Sequence, residues 1–500
     1  MRKISACMAT QHPDNAGKPY WNSRAFISTT AEIKECYLCF SDLGIDEYNW
    51  DWEGKFVDEA VVDKFLHKYF HYFKKHPLGK ENFLTFRIPN PRVEKQFRLA
   101  RAFMVIVTSS QLAQSLNFDN PPIFETILPL TETAEEIIEI QEAFRDLVRV
   151  EHKLLKMKDS IQHLEIIPLF EQVGKIAGSA KILEKYITLH KKTFGFKPAY
   201  LRPYCARSDP ALNSGLVPTV IALKIALSSY RELEDRTNVK LYPMLGTGSL
   251  PFRGSLRPDN IENALAEYAG VKTLTIQSAF RYDYPLKLVK SVLRRLKEEL
   301  PKKKAKIFSQ IEVNTLHQTI PLFEKPYQKS VEKLAPLINA ISRQVAKRRE
   351  RMLHIGLFGY SRGVGHVSLP RAIPFCASLY SLGIPPELIG TGRGIKAAKK
   401  LGFGSHLAAS YLHLKEDIVF AGNFFNRENL MQLAKHKSFW YDIMEDIKSI
   451  EKELGFTLGP KDDNHFEHYK LTQKVYERLK NNKDISQLIT YTGVLRKSLG

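Results

Sequence analysis

Short apolar, β-rich runs alternate with longer segments of helical periodicity from residue 31 to residue 285. Strands are predicted at 36–40, 83–86, 123–127, 164–170, 199–204, 239–244 and 272–276. Helices are predicted between them over 58–74, 93–116, 132–155, 173–194, 215–233 and 259–269. Strands that alternate with helices of ten or more residues pair in parallel through right-handed crossovers. Seven such units predict an α/β fold, a (β/α)₈ TIM-type barrel, in which the pattern does not place the eighth strand.

The pattern changes beyond residue 285, where helical periodicity dominates. Helices are predicted over 286–299, 328–350, 396–413, 428–453 and 467–482. We therefore expect residues 1–285 to hold an N-terminal catalytic loop and most of the barrel. Residues 286–500 are expected to form a helical portion that packs on the barrel and contributes active-site loops. No Pro/Ser-rich linker separates the two, so a single cooperative body is predicted.

Composition and charge narrow the class of protein. The 500 residues are 44% hydrophobic and 26% charged, with a net charge of +20. A basic balance attracts nucleic acid, anionic lipid or acidic metabolites. The basic runs lack the interleaved aromatics of single-strand binders, so no nucleic-acid partner is predicted. No window approaches 18 uninterrupted apolar residues and the N-terminus has no apolar signal core, which predicts a soluble, cytoplasmic protein without a membrane partner. Five cysteines, with Cys36 and Cys39 expected to face the core from a strand, indicate a reducing compartment.

Charged residues follow the predicted strands. The residues found there are Arg87, Glu125, Glu171, Arg207, Asp209, Arg253 and Arg281. The carboxyl ends of barrel strands converge on one face, so these side chains are expected to share a pocket. Two carboxylates, Glu171 and Asp209, can bind Mg²⁺ or Mn²⁺, and arginines suit carboxylate and phosphate. Structural alternatives stay open, because Glu171 and Asp209 could cap helices and Glu125 could be structural.

Five motifs occur in the order of a known family. They are Ala9–Asn15 (ATQHPDN), Pro168–Glu171 (PLFE), Arg207–Asp209 with Gly215, Gly246–Gly254 (GTGSLPFRG) and Arg371–Phe375 (RAIPF). Together they resemble the phosphoenolpyruvate carboxylases, in the short archaeal-type form, from residue 9 to the end of the chain. That family converts phosphoenolpyruvate and bicarbonate to oxaloacetate and phosphate on a (β/α)₈ barrel with extra helices.

The resemblance implies roles for matching positions. Glu171 and Asp209 would hold Mg²⁺ or Mn²⁺. Arg253 and Arg371 would neutralise phosphate and carboxylate charge, and His12, which residue spacing alone leaves open as a surface histidine, would take the proton from carboxyphosphate. Arg87 would contact phosphate, and the loops near 246–254 and 359–366, with Arg362 in the second, would close over the substrate. The family also implies a homotetramer.

One departure concerns phosphate binding. The large bacterial and plant enzymes have His-Gly-Arg where this chain has Leu245-Gly246-Thr247. Thr247 thus occupies a substrate-binding position without the arginine, and Arg202, Arg207 and Arg281 are the candidates to replace it. Two other hypotheses stay open. The first is another barrel enzyme that binds phosphoenolpyruvate or pyruvate with a divalent metal. The second is a basic nucleic-acid-binding protein, which only the net charge supports.

Overall fold

Eight parallel strands close into a barrel in the computed structural model, which describes residues 2–52, 55, 58–94, 97–155, 161, 163–351, 363–364 and 367–500. The strands are β1 (Cys7–Ala9), β2 (Glu47–Asp51), β3 (Phe83–Arg87), β4 (Glu125–Leu128), β5 (Glu165–Phe170), β6 (Tyr204–Cys205), β7 (Met244–Leu245) and β8 (Thr273–Ile276). Each strand pairs with its neighbours in sequence order. The ring closes where Cys7 of β1 lies opposite Leu274 of β8. The predicted barrel class is confirmed.

Apolar side chains fill the middle of the barrel and form a cluster separate from the main core. Its buried members are Met8, Ile127, Ile167, Leu169, Tyr204 and Met244. A second, larger cluster lies between the strands and the surrounding helices. Because side chains fill its centre, the barrel has no open channel along its axis, and a substrate site can lie only at one of its two ends.

Prolines shorten β6 and β7. The predicted strands 199–204 and 239–244 contain Pro203 and Pro243, which have no N–H to donate to a ladder. Each strand is split at its proline. The first halves, Tyr200–Leu201 and Lys240–Leu241, form a separate two-stranded sheet, and only the second halves join the barrel.

The first two barrel strands differ from the sequence prediction. Residues 36–40 belong to a helix, Thr29–Ser41, whose first turn is capped by the Ser28 hydroxyl. Cys36 and Cys39 are buried, as expected, but from that helix. The prediction missed β1 and β2, because β1 has three residues and β2 (EYNWD) is polar at three of its five positions although all five are buried. These two strands complete the eight.

Helices surround the barrel between its strands. They are Thr29–Ser41, Val61–Lys68, Phe70–Lys75, Arg98–Ser115, Ala134–Leu155, Val173–Ala177, Ser179–Phe194, Ser208–Ser214, Leu216–Thr237, Ile261–Glu267, Ser278–Tyr282 and Leu286–Glu299. Short 3₁₀ turns lie at Pro251–Arg253, Leu300–Lys302 and Pro386–Leu388, and a small hairpin pairs Gly363–Val364 with Val367–Ser368. The helix between β7 and β8 matches its predicted segment within a few residues. So do most of the helices between β3 and β7.

The C-terminal portion is helical, as predicted. Its helices are Gln310–Ser342, Ala372–Ser381, Thr391–Lys400, Gly404–Ser410, Leu414–Gly422, Arg427–His436, Trp440–Leu454, Asp463–Lys480 and Ser486–Leu495. The longest begins at a capping box formed by Ser309 and Glu312. It packs against the barrel helix Leu216–Thr237 and against Ala372–Ser381. The boundary at residues 285/286 stays a prediction.

No single helix in the described ranges is long and apolar enough to cross a membrane. One pair, Ala372–Ser381 with Pro386–Lys400, passes by length and composition together, but it is bent by 89°. Every residue of Ala372–Ser381 except Pro374 is buried inside the protein.

Candidate active site

The carboxyl ends of the strands gather most of the predicted site residues at one mouth of the barrel. His12 follows β1 and Arg87 ends β3. Glu171 follows β5, and Asp209 lies in the first turn of the helix after β6. Arg253 closes the 3₁₀ turn after β7. Parallel strands that close into a ring place all of these on the same face.

His12 lies in a loop that is fastened from two sides. Its Nδ1 contacts the Thr10 hydroxyl at 2.9 Å, and its side chain is half-buried. The Asp283 carboxylate accepts from the backbone N–H groups of Ala16 and Gly17, both at 2.7 Å. Arg348 donates to the carbonyls of Asn15 and Ala16 at 3.0 and 2.9 Å. The loop is therefore a packed element, which orients the imidazole.

Arg281 supports the strand that leads to His12. Its guanidinium donates to the Thr10 carbonyl at 2.7 Å, to Glu35 at 3.1 Å and to the Cys39 sulfur at 2.8 Å. Arg349 also binds Glu35, and although burial opposes them, the two arginines hold the pKa of Glu35 down to about 2. Its guanidinium is engaged by these protein partners, and the expectation that Arg281 binds substrate stays a prediction.

Arg87 forms a bidentate pair across the mouth. Its Nε and Nη2 each donate to Asp51, the last residue of the neighbouring β2, at 2.8 Å. Two parallel N–H···O bonds fix the plane of a guanidinium. The predicted phosphate contact thus lies at the expected end of β3, beside a carboxylate that sequence reasoning missed because β2 was missed.

Two carboxylates lie at the ends of adjacent strands, as predicted for a metal. Glu171 accepts from the Leu130 N–H at 2.8 Å and is buried, and Asp209 is half-buried. Within the described ranges, no three or more His, Cys, Asp or Glu side chains gather to hold a metal. A divalent ion here would take two protein carboxylates and complete its shell with water and substrate, a common arrangement for Mg²⁺.

Arg253 is fully buried and held by four partners. Its Nε donates to the Ser208 hydroxyl at 3.1 Å and its Nη2 to the Gln277 side-chain oxygen at 2.5 Å. Its Nη1 donates to the Asp14 carboxylate at 3.2 Å and to the Gly500 carbonyl at 2.7 Å. The guanidinium therefore has a defined orientation in the mouth.

Arg371 approaches the mouth from the C-terminal portion. It is the N-cap residue of the helix Ala372–Ser381, which packs against Ser208–Ser214, the helix that carries Asp209. Phe375 of the same helix stacks on Phe252, next to Arg253, with ring centroids 5.6 Å apart. The C-terminal helices thus pack against elements that form the mouth, and their expected contribution of active-site loops stays a prediction.

Thr247 and Arg207 bear on the missing arginine. The Thr247 hydroxyl donates to the Thr275 carbonyl at 2.8 Å, so it fastens β7 to β8. Arg207 is buried and its Nη2 donates to the Pro251 carbonyl at 3.4 Å, while its Nε and Nη1 have no hydrogen-bond partner among the described residues. Of the three candidates for the replacement, Arg207 keeps two such nitrogens, Arg202 keeps its Nε and Arg281 keeps none.

Arg202 lies at the opposite end of the barrel. It precedes β6, and its guanidinium binds Glu47 and Glu125, which open β2 and β4. A hydrogen bond to Thr273, the first residue of β8, completes its contacts. The expectation that Arg202 binds substrate is wrong. The barrel strand begins only at Tyr204, after Pro203, so Arg202 precedes the strand and lies at its amino-terminal end. Glu125 begins its strand instead of ending it, and it is structural.

Arg362, and most of the loop 359–366, lie outside the described residues. Three contributors to the mouth were not predicted: Asp14, Asp51 and Gly500. Asp14 lies within the motif that contains His12, so its position two residues after the histidine was an available signal. Gly500 is distant in sequence, and no pattern in the chain links it to Arg253.

A parallel barrel whose mouth combines a histidine, arginines and paired acidic groups is typical of (β/α)₈ enzymes that act on small anions. Family comparison is more specific. The family model described as phosphoenolpyruvate carboxylase matches residues 4–500, and the chain belongs to that family.

Proteins named phosphoenolpyruvate carboxylase resemble this chain along their whole length. The protein from Leuconostoc mesenteroides is 37% identical over 507 residues, covering 100% of this chain and 99% of its own. The protein from the archaeon Metallosphaera sedula is 37% identical over 522 residues, with complete coverage of both chains. That from Pyrococcus abyssi is 39% identical over 470 residues, covering 90% of this chain and 94% of its own.

Proposed function

We propose that this protein is a phosphoenolpyruvate carboxylase, a carboxy-lyase that forms oxaloacetate and phosphate from phosphoenolpyruvate and bicarbonate. The observation that carries the proposal is the full-length family match, together with a barrel mouth that gathers His12, Arg253, Glu171 and Asp209. Carboxylate, phosphate and bicarbonate are all anions, and arginines around a dry mouth suit them.

His12 is assigned to proton transfer. Its Nδ1 is bonded to Thr10, so we assign Nε2 as the nitrogen that removes the proton from carboxyphosphate, the intermediate in which bicarbonate carries the transferred phosphate. A histidine suits a general base near neutral pH because its ordinary pKa is close to that pH. The fastened loop around residues 14–17 would keep the imidazole in place during the reaction.

Arg253, Arg371 and Arg87 are assigned to the anionic groups of the substrates. Arg253 brings a buried positive charge, which counts for more in a dry site than in water. Arg87 keeps its plane through Asp51. Arg207, with unused donors, is our candidate for the role of the arginine that is absent at Thr247. Carboxyphosphate and an enolate both need protection from water during the reaction.

Mg²⁺ or Mn²⁺ is proposed as the cofactor. Glu171 and Asp209 fit such an ion by donor chemistry, because both supply carboxylate oxygens and hard divalent cations prefer these to sulfur or nitrogen ligands. When bound, the ion would supply charge stabilisation to the anionic oxygens of the substrate. We further propose a cytoplasmic homotetramer, on family resemblance alone.

A coupled assay tests the activity. Oxaloacetate formation is followed by NADH oxidation through malate dehydrogenase, with bicarbonate and the divalent metal each present or omitted. We expect signal only when both are present. Two results would favour another phosphoenolpyruvate-binding barrel enzyme instead. One is an oxaloacetate signal that does not depend on bicarbonate. The other is consumption of phosphoenolpyruvate to a different product, with no oxaloacetate signal.

A further inference from the structure

The guanidinium of Arg253 is held by four different residues. An arginine has five N–H groups, and four contacts to Arg253 come from the Ser208 hydroxyl, the Gln277 amide oxygen, a main-chain oxygen of Gly500 and the Asp14 carboxylate. About one N–H of Nη2 is thus left for a ligand. A group with so many protein partners acts as a fixed positive charge.

Packing limits the guanidinium as well. A Cβ added to Gly248 would lie 2.9 Å from the Arg253 Cζ, which means that the loop backbone lies directly against the guanidinium plane. Movement of Arg253 would therefore need movement of the Gly246–Gly254 loop. What remains adjustable is the set of hydrogen bonds around the guanidinium edge.

Asp14 connects four parts of the mouth. One oxygen of its carboxylate accepts from Arg253 and the other accepts from the Ala279 N–H at 2.8 Å, at the start of the helix Ser278–Tyr282. Its backbone carbonyl accepts from the Leu499 N–H at 2.7 Å. It lies two residues from His12 in the same loop. Asp14 is fully buried, and burial raises its pKa while Arg253 opposes that rise.

We propose that Asp14 is the positioning residue that fixes Arg253 relative to His12, and so sets the distance between the phosphate-binding charge and the proton acceptor. The inference rests on the proposed function of the same mouth. Asp14 touches no substrate in this proposal. It acts through Arg253, whose Nη1 lies 3.2 Å from its carboxylate.

An Asp14→Asn substitution keeps the shape and the bond from Ala279 but places an amide against the guanidinium. With the oxygen retained toward Ala279, the amide N–H₂ would face Nη1, a donor against a donor, and Arg253 would have to turn. Truncating one partner of a buried charge pair has large effects. We expect the KM for phosphoenolpyruvate to rise at least about 30-fold, with a smaller change in kcat, because a displaced Arg253 weakens substrate binding first.

A double-mutant cycle separates positioning from a purely structural role. Asp14→Asn is compared in the native chain and in an Arg253→Met background, where no guanidinium remains to be positioned. If Asp14 acts through Arg253, the second comparison should show a loss of less than about threefold, because the two effects are coupled. Equal losses in both backgrounds would overturn the proposal.

Asp283→Asn is the matched control. Asp283 is a half-buried carboxylate that holds the same loop, through Ala16 and Gly17, and the partners of Arg253 do not include it. Its effect should be equal in the two backgrounds. If Asp14→Asn does not fold, Gln277→Met removes the Nη2 acceptor instead, and the same coupling to Arg253→Met is expected.

The readout keeps this inference apart from the proposed function. Calorimetric titration with phosphoenolpyruvate and Mg²⁺, without bicarbonate, measures binding even if no oxaloacetate is formed. Absence of carboxylation by the native protein would end the proposed function. Uncoupled binding losses in the cycle would end the positioning role of Asp14, whatever the assay of carboxylation shows.

Discussion

The two ends of the barrel both contain buried arginines and carboxylates, yet they are paired differently. At the amino-terminal end, Arg202 binds Glu47 and Glu125, and Arg2 binds the same two carboxylates. At the carboxyl-terminal end, Arg253 contacts the Asp14 carboxylate, the Ser208 hydroxyl, the Gln277 amide oxygen and a main-chain oxygen of Gly500. The first arrangement pairs two arginines with two shared carboxylates. The second spreads the donors of one arginine over four different residues.

The comparison indicates that burial alone does not separate a structural arginine from one that can bind an anion. Arg202 and Arg253 are both about 1% exposed. Although burial opposes it, the arginines hold the pKa of Glu47 down to about 2, so the carboxylate stays ionised and paired. The distinguishing feature is the share of hydrogen bonds that go to acidic side chains: Arg202 makes three bonds to Glu47 and Glu125, whereas Arg253 makes one, to Asp14.

The largest effect is expected at His12. His12→Asn keeps a polar side chain of similar size but removes the proton acceptor, so oxaloacetate formation should fall by a factor of at least about 10³. Some phosphate release with pyruvate as the other product is expected to persist, because the arginines and carboxylates remain. The coupled oxaloacetate assay and a phosphate assay, run side by side, measure the two outcomes. Full carboxylation by this variant would remove His12 from the mechanism.

The carboxylates at the ends of β5 and β6 come next. Asp209→Ala should lower activity at least about 100-fold and shift half-saturation by Mg²⁺ or Mn²⁺ to higher concentration, because a divalent ion loses one of its two protein oxygens. Asp463→Ala, an exposed carboxylate in the first turn of the helix Asp463–Lys480, is the matched control and should leave metal saturation unaltered. Unchanged metal saturation in the Asp209 variant would place the ligand elsewhere.

Much of the mouth could be predicted because strand ends and family motifs carry local signals. Glu171 directly follows an apolar run, Asp209 comes four residues after a strand ends, and His12 lies in a short motif. Arg202 could not be placed correctly, because the sequence does not show that Pro203 divides its strand and moves the barrel segment to residues 204–205. This small shift of the strand places Arg202 at the amino-terminal end of the barrel instead of the carboxyl-terminal end.

The first strands failed for a different reason. The apolar run at 36–40 has strand composition but lies within a helix that begins at the Ser28 cap. The β2 strand is buried along its whole length although it contains Glu47, Asn49 and Asp51. Its carboxylates are tolerated in the barrel because Arg202 and Arg87 pair with them. Such pairing joins residues that are distant in sequence, and alternation of polar and apolar positions cannot reveal it.

Arg202→Met tests the structural end of the comparison. Removing the arginine leaves Glu47 and Glu125 facing each other with only Arg2 between them, and breaking a buried pair typically costs about 3–5 kcal/mol. We expect a large fall in the free energy of unfolding, measured by urea titration. The KM for phosphoenolpyruvate of the folded fraction should stay within about twofold of the native value, since the change lies at the other end.

Arg253→Met is the counterpart at the mouth and should show the reverse order, with a large rise in KM and a smaller change in stability. If both variants affect KM and stability in the same proportion, the distinction between a structural arginine at one end and a substrate-binding arginine at the other fails.

The smallest expected effect is a pH dependence at the amino-terminal end. Glu165 opens β5, and burial, with Glu125 nearby, raises its pKa to about 7. His163, with Nε2 3.9 Å away, gives no compensating charge, because burial lowers its pKa to about 4. An unfolded glutamate ionises near its ordinary pKa of about 4.3. Between these two values the folded state binds more protons than the unfolded state, so the contribution of Glu165 to stability falls as pH rises from about 4.5 to 7 and is level above that.

Glu165→Gln should remove this slope. The difference in the urea midpoint between the variant and the native protein should grow in favour of the variant from pH 4.5 to pH 7 and then stay constant. Glu135→Gln is the control, because Lys185 lowers the pKa of that exposed carboxyl and the sign is opposite. A native and a Glu165→Gln protein with parallel stability profiles would mean that Glu165 is ionised in the fold, in which case the charges at this end are balanced by groups other than Arg2 and Arg202.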